Sequence, residues 1–313
     1  MTAAPQKTRP SQRFRFASLD GARSGWPDRA RLGGRERTCL PHLRTRAEIY
    51  PEGLSEAVGA GGRPVPPGAR CAQRLIRAGW PPDTIGLAAN SMRWVLFDLN
   101  GTLLDPGVIA EPLGGGDEDR RLVSEAFQAA LLLTMATTLS GGPYRPLPEY
   151  LRATLERALR ARDRDTRALD AAMERAGRMD PFPEAEAALT LLGHAGLRLG
   201  VLTNSTSQAA EAALTNAGLR DRFEVVIGSD EAQTFKPHPR VYEHAIARLE
   251  CEPAEVFLVA AHAWDVMGAM RAGLRGAWIA RGERWLVPVV PEPDVKGADL
   301  EDLARQLVNH SRR

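Results

Sequence analysis

Short apolar runs and amphipathic stretches alternate along residues 92–313 and predict an α/β fold. Trp94–Phe97 is a run of four apolar residues, which indicates a short strand buried on both faces of a sheet. Further apolar runs predict strands over residues 197–203, 223–228, 256–260 and 276–280, with a last segment at 293–295. Helical spacing separates these runs, and a helix over 300–309 closes the chain. This alternation favours a Rossmann-like sheet of parallel strands.

A purely helical pattern lies between the first strand and the rest of the predicted sheet. The glycines at 114–116 indicate a loop, and apolar residues then recur at spacings of three and four. Asp180–Pro183 marks the return to the core. We therefore predict a core domain of residues 92–106 and 181–313 with an all-α domain, 107–180, inserted in it. Helices are predicted over residues 118–139, 148–160 and 166–176 of the insertion, and over 184–194 after it.

Residues 1–91 lack this periodicity and are rich in Arg, Gly and Pro, so we expect a disordered extension. They hold 15 Lys and Arg against 7 Asp and Glu, whereas the chain as a whole has a net charge of +2. No basic motif repeats and no aromatic residues interleave, so no nucleic-acid partner is expected. Met92 directly precedes the first strand, which raises the hypothesis that 1–91 is not native. A native peptide from residues 1–80 would refute it.

Composition is ordinary for a globular protein in a reducing compartment. The 313 residues are 43% hydrophobic and 26% charged. Cys39, Cys71 and Cys251 are odd in number and far apart, so they predict neither a disulfide framework nor a zinc site. No secretory signal is recognisable, and no apolar run approaches the roughly 18 residues that span a bilayer. These features favour a cytoplasmic protein without a membrane partner.

Candidate chemistry begins where the first strand ends, in the run Asp98-Leu99-Asn100-Gly101-Thr102. Reacting groups in open α/β sheets gather beyond the carboxyl ends of the strands, so Asp98 lies where a nucleophile would lie. An Asp that only caps the strand end is the alternative. Three more motifs follow the second, third and fourth strands in order: Thr203-Asn204, Phe235-Lys236-Pro237 and Ala261-His262-Ala263-Trp264-Asp265.

These motifs, in this order, resemble those of the haloacid dehalogenase (HAD) superfamily, especially the branch with the type II 2-haloacid dehalogenases. The resemblance covers about residues 92–310 and implies a HAD core with a helical cap that closes over the nucleophile. It implies that Asp98 is the nucleophile and that Lys236, Asp265 and Thr102 complete the catalytic set. It also implies a small-molecule substrate, no metal and no cofactor, and it allows a homodimer.

Further residues are candidates for substrate binding, namely Asn100, Thr203, Asn204, His262, Arg145 and Tyr242. The Thr203 hydroxyl and nearby backbone N–H groups can bind substrate oxygens. Core packing is the alternative for Tyr242. His262 either positions or deprotonates the hydrolytic water, or it is a packed structural histidine. Arg145 either supplies a guanidinium from its loop or is a solvated surface residue.

Departures from the family pattern distinguish two chemistries. HAD phosphatases carry a second Asp two residues after the nucleophile and a metal-binding acid where Ala261 stands. The first of these positions is Asn100 here, which cannot titrate. A halide leaves without protonation, so a dehalogenase needs neither group. The dehalogenase branch itself usually has Tyr at the Asn100 position, Asn at the His262 position and an Arg near Gln128.

We therefore expect a metal-independent hydrolase of the 2-haloacid dehalogenase type. Asp98 would displace halide from C2 of a 2-haloacid to form an ester, and water would then release a 2-hydroxy acid. A HAD phosphatase that acts on a small phosphoester is the alternative. A non-catalytic HAD-like binding protein is the third hypothesis.

Overall fold

A six-stranded parallel sheet forms the centre of the computed structural model, which describes residues 92–312. Predictions for residues 1–91 lie outside that range. The strands are β1 Trp94–Phe97, β2 Arg198–Thr203, β3 Val225–Gly228, β4 Val256–Ala260, β5 Arg275–Ile279 and β6 Val295–Gly297. Their order in the sheet is β3-β2-β1-β4-β5-β6, and each neighbouring pair is parallel. The predicted α/β fold is confirmed.

Helices connect the strands and also fill the long insertion after β1. The insertion contains α1 Asp117–Leu139, α2 Leu147–Arg160 and α3 Leu169–Ala176. The core contains α4 Ala185–His194, α5 Ser207–Asn216, α6 Ser229–Ala232, α7 Pro239–Leu249, α8 Ala263–Arg271 and α9 Leu300–Ser311. A 3-10 segment, Pro106–Leu113, was not predicted. It begins at Asp105, whose side chain accepts a hydrogen bond from Gly107 N at 2.7 Å.

Strand β1 is buried on both sides because helices cover both faces of the sheet. Its four residues are at most 2% exposed. Val95 and Phe97 pack in one apolar cluster with α4, α5 and α9, whereas Trp94 and Leu96 pack in another with α7. Central parallel strands are continuously apolar for this reason. The sheet therefore holds the residue after β1 rigidly at its carboxyl edge.

The insertion, which we call the cap (Pro106–Ala176), has an apolar cluster of its own. Helices α1, α2 and α3 pack together in it through Leu122, Leu151, Leu155 and their neighbours. Phe235 belongs to the core by sequence but packs in this cluster. Its ring stacks on Tyr144 at 4.9 Å and meets Tyr150 edge-on at 5.9 Å. The cap is thus attached to the core by the residue that precedes Lys236.

Helix α1 is long and apolar enough, by length and composition alone, to cross a membrane. Its most apolar window of 18 residues has a mean hydropathy of 1.4. The sequence shows no continuous apolar run there because Ser, Glu, Gln and Thr are interspersed. Core helices of soluble proteins pass the same test, and one face of α1 is buried in the cap cluster.

Candidate active site

The carboxyl ends of neighbouring strands bring the four motifs together. Asp98 directly follows β1, and its backbone N–H donates to Val259 O of β4 at 2.9 Å. Thr203 ends β2, and Asp265 lies in the first turn of α8, after β4. Lys236 lies in the loop between α6 and α7. Adjacent parallel strands end at the same edge, so residues far apart in sequence meet here.

Lys236 places its ammonium group between two carboxylates. Its Nζ donates to Asp98 Oδ1 at 2.9 Å and to Asp265 Oδ2 at 2.5 Å. The third donor bond goes to Leu202 O at 2.8 Å. An ammonium group has three protons, so this lysine is fully satisfied. The Lys236 and Asp265 side chains are wholly buried, and Asp98 is 6% exposed.

This arrangement shifts the pKa values of all three groups. Burial alone would raise the pKa of Asp98, but Lys236 and His262 hold it well below its ordinary value. Burial alone would lower the pKa of Lys236, but Asp265 and Asp98 raise it. Burial, with the charge of Asp98, raises the pKa of Asp265 against the opposing effect of Lys236. Asp98 is therefore a carboxylate at neutral pH, paired with a charged lysine.

Thr102 fixes the second oxygen of Asp98. Its hydroxyl donates to Asp98 Oδ2 at 2.9 Å and accepts from Ala261 N at 3.0 Å. Gly101 allows the chain to turn back for this contact, since it has a φ of +83°, which favours glycine. The carboxylate is thus oriented by donors on both oxygens.

Tyr242 lies behind Asp265 and does not line the space in front of Asp98. Its hydroxyl donates to Asp265 Oδ1 at 2.7 Å, and the side chain is wholly buried. Burial, with Asp265 beside it, raises the pKa of Tyr242 well above its ordinary value, so it remains a donor. The structure therefore places this candidate substrate-binding residue in a supporting position, where it holds Asp265.

The loop after β2 supplies the polar wall beside Asp98. Asn204 Oδ1 accepts from Lys236 N at 2.7 Å, and Thr203 Oγ1 accepts from Ser205 N at 3.1 Å. Asn100 Nδ2 donates to Ser205 Oγ at 3.1 Å. Sequence reasoning did not single out Ser205 as a site residue, although it directly follows the second motif. These contacts fix the wall and the backbone of Lys236.

Two connected spaces lie between the cap and the carboxyl edge of the sheet. The smaller, which we call the crevice, has a volume of about 10 Å³ and is lined by Asp98, Asn100, Phe127, Leu131, Leu147, Thr203, Asn204, His262 and Trp264. The larger, which we call the outer cavity, has a volume of about 840 Å³. Phe127, Leu131, His262 and Trp264 line both. Apolar side chains of α1 thus cover the carboxylate and limit its contact with water.

His262 stands at the junction of the crevice and the outer cavity. Its Nδ1 is 3.4 Å from Asp98 Oδ2, and its ring lies 5.4 Å from that of Trp264. A side chain on Gly101 would meet the imidazole, because a Cβ there would lie 3.0 Å from His262 Cε1. Burial alone would lower the pKa of His262, but the hydrogen bond and charge of Asp98 raise it.

Arg145 is the one candidate residue that the structure does not bring to the site. Its side chain is 65% exposed, and Nη1 is 3.3 Å from Glu149 Oε2. It lines neither space, because its Pro-flanked loop between α1 and α2 directs it to the surface. Gln128 lies near the position where the dehalogenase branch carries a cap arginine. It lines the outer cavity but not the crevice.

Arg281 lines the outer cavity but was not anticipated, since it lies in no motif. Its Nη2 donates to Glu184 Oε1 at 2.6 Å, and its guanidinium lies 3.5 Å from the centroid of the Phe182 ring. The position of such a side chain depends on the path of its loop, and the spacing of apolar residues in the sequence does not predict that path.

The acidic side chains at the centre do not form a set of metal ligands. Among residues 92–312, no group of three or more His, Cys, Asp or Glu side chains is arranged to hold a metal ion. Lys236 Nζ lies between Asp98 and Asp265, so a cation would have to displace the ammonium group.

Comparison with known families assigns the fold and site to a class. A model of the haloacid dehalogenase-like hydrolases matches residues 92–273, which is more than half of the chain. The chain therefore belongs to the haloacid dehalogenase-like hydrolase family.

The relatives include several 2-haloacid dehalogenases and also a phosphoserine phosphatase from Thermus thermophilus, which is 34% identical over 165 residues, covering 52% of this chain and 64% of that protein. The chain is 38% identical over 104 residues to an (S)-2-haloacid dehalogenase from Pseudomonas sp. (strain YL), covering 33% of this chain but only 45% of that protein. It is 32% identical over 200 residues to (S)-2-haloacid dehalogenase 1 from Pseudomonas sp. (strain CBS-3), covering 61% of this chain and 85% of that protein.

A solved structure also resembles the protein over most of the described residues. It is the L-2-haloacid dehalogenase from Xanthobacter autotrophicus with chloropropionic acid covalently bound. Its TM-score is 0.62 at 26% identity, and the match covers 69% of this chain and 98% of that one. Resemblance to the type II dehalogenase branch is thus present in both sequence and fold.

Proposed function

We propose that the protein is a metal-independent hydrolase of the 2-haloacid dehalogenase type, with Asp98 as its nucleophile and a small 2-haloacid as its substrate. One observation carries the proposal. The Asp98 carboxylate accepts from Lys236 Nζ and from the Thr102 hydroxyl, both at 2.9 Å, and apolar side chains of α1 cover it. A carboxylate kept ionised in a site with little water is a suitable nucleophile toward carbon.

The first step is a displacement at C2 of the substrate. An oxygen of Asp98 forms a bond to C2, the carbon–halogen bond breaks, and the halide leaves with the electron pair. In the second step water adds to Cγ of the Asp98 ester, and the bond between Cγ and the ester oxygen breaks to release a 2-hydroxy acid. Lys236 and Thr102 stabilise the negative charge that develops on the carboxyl oxygens.

Two features support displacement at carbon over phosphoryl transfer. Asn100 occupies the place of the phosphatase general acid, and its amide donates to Ser205 Oγ instead. Ala261 occupies the place of a metal-binding acid. A halide needs no proton to leave, so neither position impairs dehalogenation. The name of the Xanthobacter structure, which states that chloropropionic acid is covalently bound there, also supports a covalent intermediate.

A single turnover in ¹⁸O-labelled water tests the proposal. We expect halide release from one enantiomer of 2-chloropropionate, with the label appearing in the peptide that contains Asp98, by mass spectrometry. Asp98→Asn should lower halide release by about 10⁴-fold or more, because the nucleophile is removed. Asp170→Asn, at an exposed carboxylate that pairs with Arg152, is the matched control and should leave turnover unchanged.

Other results would support the alternatives. Label only in the 2-hydroxy acid would contradict an ester on Asp98. Release of p-nitrophenol from its phosphate ester, without halide release, would support the phosphatase. No turnover of either substrate panel, together with a tight protein partner, would support a binding protein.

A further inference from the structure

We propose that His262, and not Asp265, is the general base that deprotonates the hydrolytic water, and that ester formation on Asp98 releases His262 for this role. The inference rests on the ester intermediate of the proposed function. It goes further by assigning the proton acceptor of the second step and the event that makes this acceptor available.

Asp265 is the acid nearest to Lys236, but its position excludes direct contact with a water in the crevice. Its Oδ2 accepts from Lys236 Nζ at 2.5 Å, and its Oδ1 accepts from the Tyr242 hydroxyl at 2.7 Å. The side chain is wholly buried and lines neither the crevice nor the outer cavity. A general base must come within hydrogen-bond reach of the proton it takes. Asp265 is therefore a positioning residue for Lys236.

His262 has the access that Asp265 lacks. Four residues line both the crevice and the outer cavity, and among them the imidazole is the group that titrates near neutral pH, since the others are Phe127, Leu131 and Trp264. Water that enters from the outer cavity thus meets the imidazole next to the nucleophile. The Nδ1 atom is 3.4 Å from Asp98 Oδ2, so a water that binds to Nδ1 beside this contact would also be close to Cγ.

The charges that face His262 change when the ester forms. Asp98 faces it from the end of β1, Lys236 from the loop before α7 and Asp265 from α8. The titratable or charged groups on the outer-cavity side are Asp105, Arg120, Arg281 and Glu283. In the resting protein the Asp98 carboxylate holds the pKa of His262 above its ordinary value, against burial and Lys236.

Alkylation removes the negative charge of Asp98, whereas burial and Lys236 remain. The pKa of His262 then falls, because the main group that favoured the imidazolium is neutral. The imidazole loses its proton to solvent and becomes a base at the stage when water must be activated. Before that stage, a charged imidazole does not compete with the Asp98 carboxylate as a nucleophile toward the substrate.

In the hydrolytic step, the water oxygen adds to Cγ of the ester while the imidazole accepts one water proton. The tetrahedral adduct collapses, and the bond between Cγ and the ester oxygen breaks with its electron pair on that oxygen. This oxygen takes the proton from His262 to give the 2-hydroxy acid. The new carboxyl group of Asp98 passes its remaining proton to His262, which restores the imidazolium, and the carboxylate pairs again with Lys236.

Replacement of His262 by Gln or Ala separates the two chemical steps. We expect a burst of about one halide per protein at close to the wild-type rate, because the displacement does not need a base. Steady turnover should then fall by about 10²- to 10⁴-fold, which is the usual contribution of a general base. The ester on Asp98 should accumulate and be visible by mass spectrometry of the intact chain. His194→Gln, at an exposed histidine near the end of α4, is the control and should leave both steps unchanged.

A pH readout tests the timing. The rate of ester hydrolysis, measured in single turnovers, should fall at acid pH with an apparent pKa. That apparent pKa should be lower than the pKa of His262 measured by NMR in the resting protein. An equal or higher value would overturn the timing. A parallel loss of the halide burst and of turnover in both His262 variants, without accumulated ester, would show a packing role and overturn the base. Absence of halide release by the wild-type protein would instead contradict the proposed function itself.

Discussion

At the residue scale, Lys236 determines the ionisation of the site because one ammonium group serves two buried carboxylates. The folded-state pKa of Asp98 lies below its ordinary value of 3.8, so this pairing stabilises the protein above that pH. The contribution is lost as the pH falls through the lowered pKa. Removal of one partner of a buried ion pair is costly, because it leaves an uncompensated charge.

Lys236→Met removes this ammonium group. We expect the free energy of unfolding to fall by about 3–5 kcal/mol at neutral pH, measured by denaturant titration. The pKa of Asp98 should rise, because burial is then opposed by His262 without Lys236, so the acid limb of kcat/KM should move to higher pH. Lys296→Met, at a half-exposed lysine paired with Glu292, should change neither property. An unchanged pH profile in a folded Lys236→Met protein would contradict the assigned role.

The sequence predicts some of the site residues but not the position of every candidate side chain. The motif order identifies Asp98, Lys236 and Asp265, because strand ends in a parallel sheet converge whatever the intervening loops do. It does not show that Tyr242 lies behind Asp265, since a residue one turn into a helix can face the core or the site. Arg145 presents the same ambiguity in a loop, and its side chain lies at the surface.

At the element scale, the Phe235 side chain of the core packs inside the apolar cluster of the cap. Phe235 is 1% exposed and packs between Tyr144 and Tyr150 of the cap. Periodicity predicts helices α1 to α3, because each has an apolar stripe to bury. It does not predict the 3-10 segment Pro106–Leu113, where two prolines and flanking glycines interrupt any regular spacing.

Phe235→Ala should loosen the contact between cap and core. We expect a loss of about 3–5 kcal/mol in unfolding free energy and a fall in kcat/KM, because water would enter the crevice more freely. Phe223→Ala is the matched control, since Phe223 is 4% exposed and packs edge-on against Phe97 in the core. Similar destabilisation with unchanged kcat/KM is expected there. Equal losses of activity in the two variants would contradict a specific role for the cap contact.

At the scale of the whole molecule, the site is assembled from distant parts of the chain by the sheet. Asp98 and Lys236 are 138 positions apart, yet their side chains form a direct ion pair. The parallel pairing that makes this possible follows from alternating strands and helices, and it could be expected from the sequence. The hydrogen-bond pattern could not, because it depends on rotamers chosen in the packed interior.

Removal of divalent cations from the complete protein should leave it unchanged. Lys236 occupies the space between the two central carboxylates, and residues 92–312 contain no set of three metal-ligating side chains. We therefore expect the melting temperature and the rate of halide release to be the same with and without EDTA. Loss of activity in EDTA with recovery on adding Mg²⁺ would contradict the proposed mechanism.

The direct peptide link between Phe235 and Lys236 joins two tasks in one short segment. A cap that moved away from the core would have to release the Phe235 ring from Tyr144 and Tyr150. A substitution at this aromatic contact therefore acts one residue away from the ammonium group that pairs with Asp98.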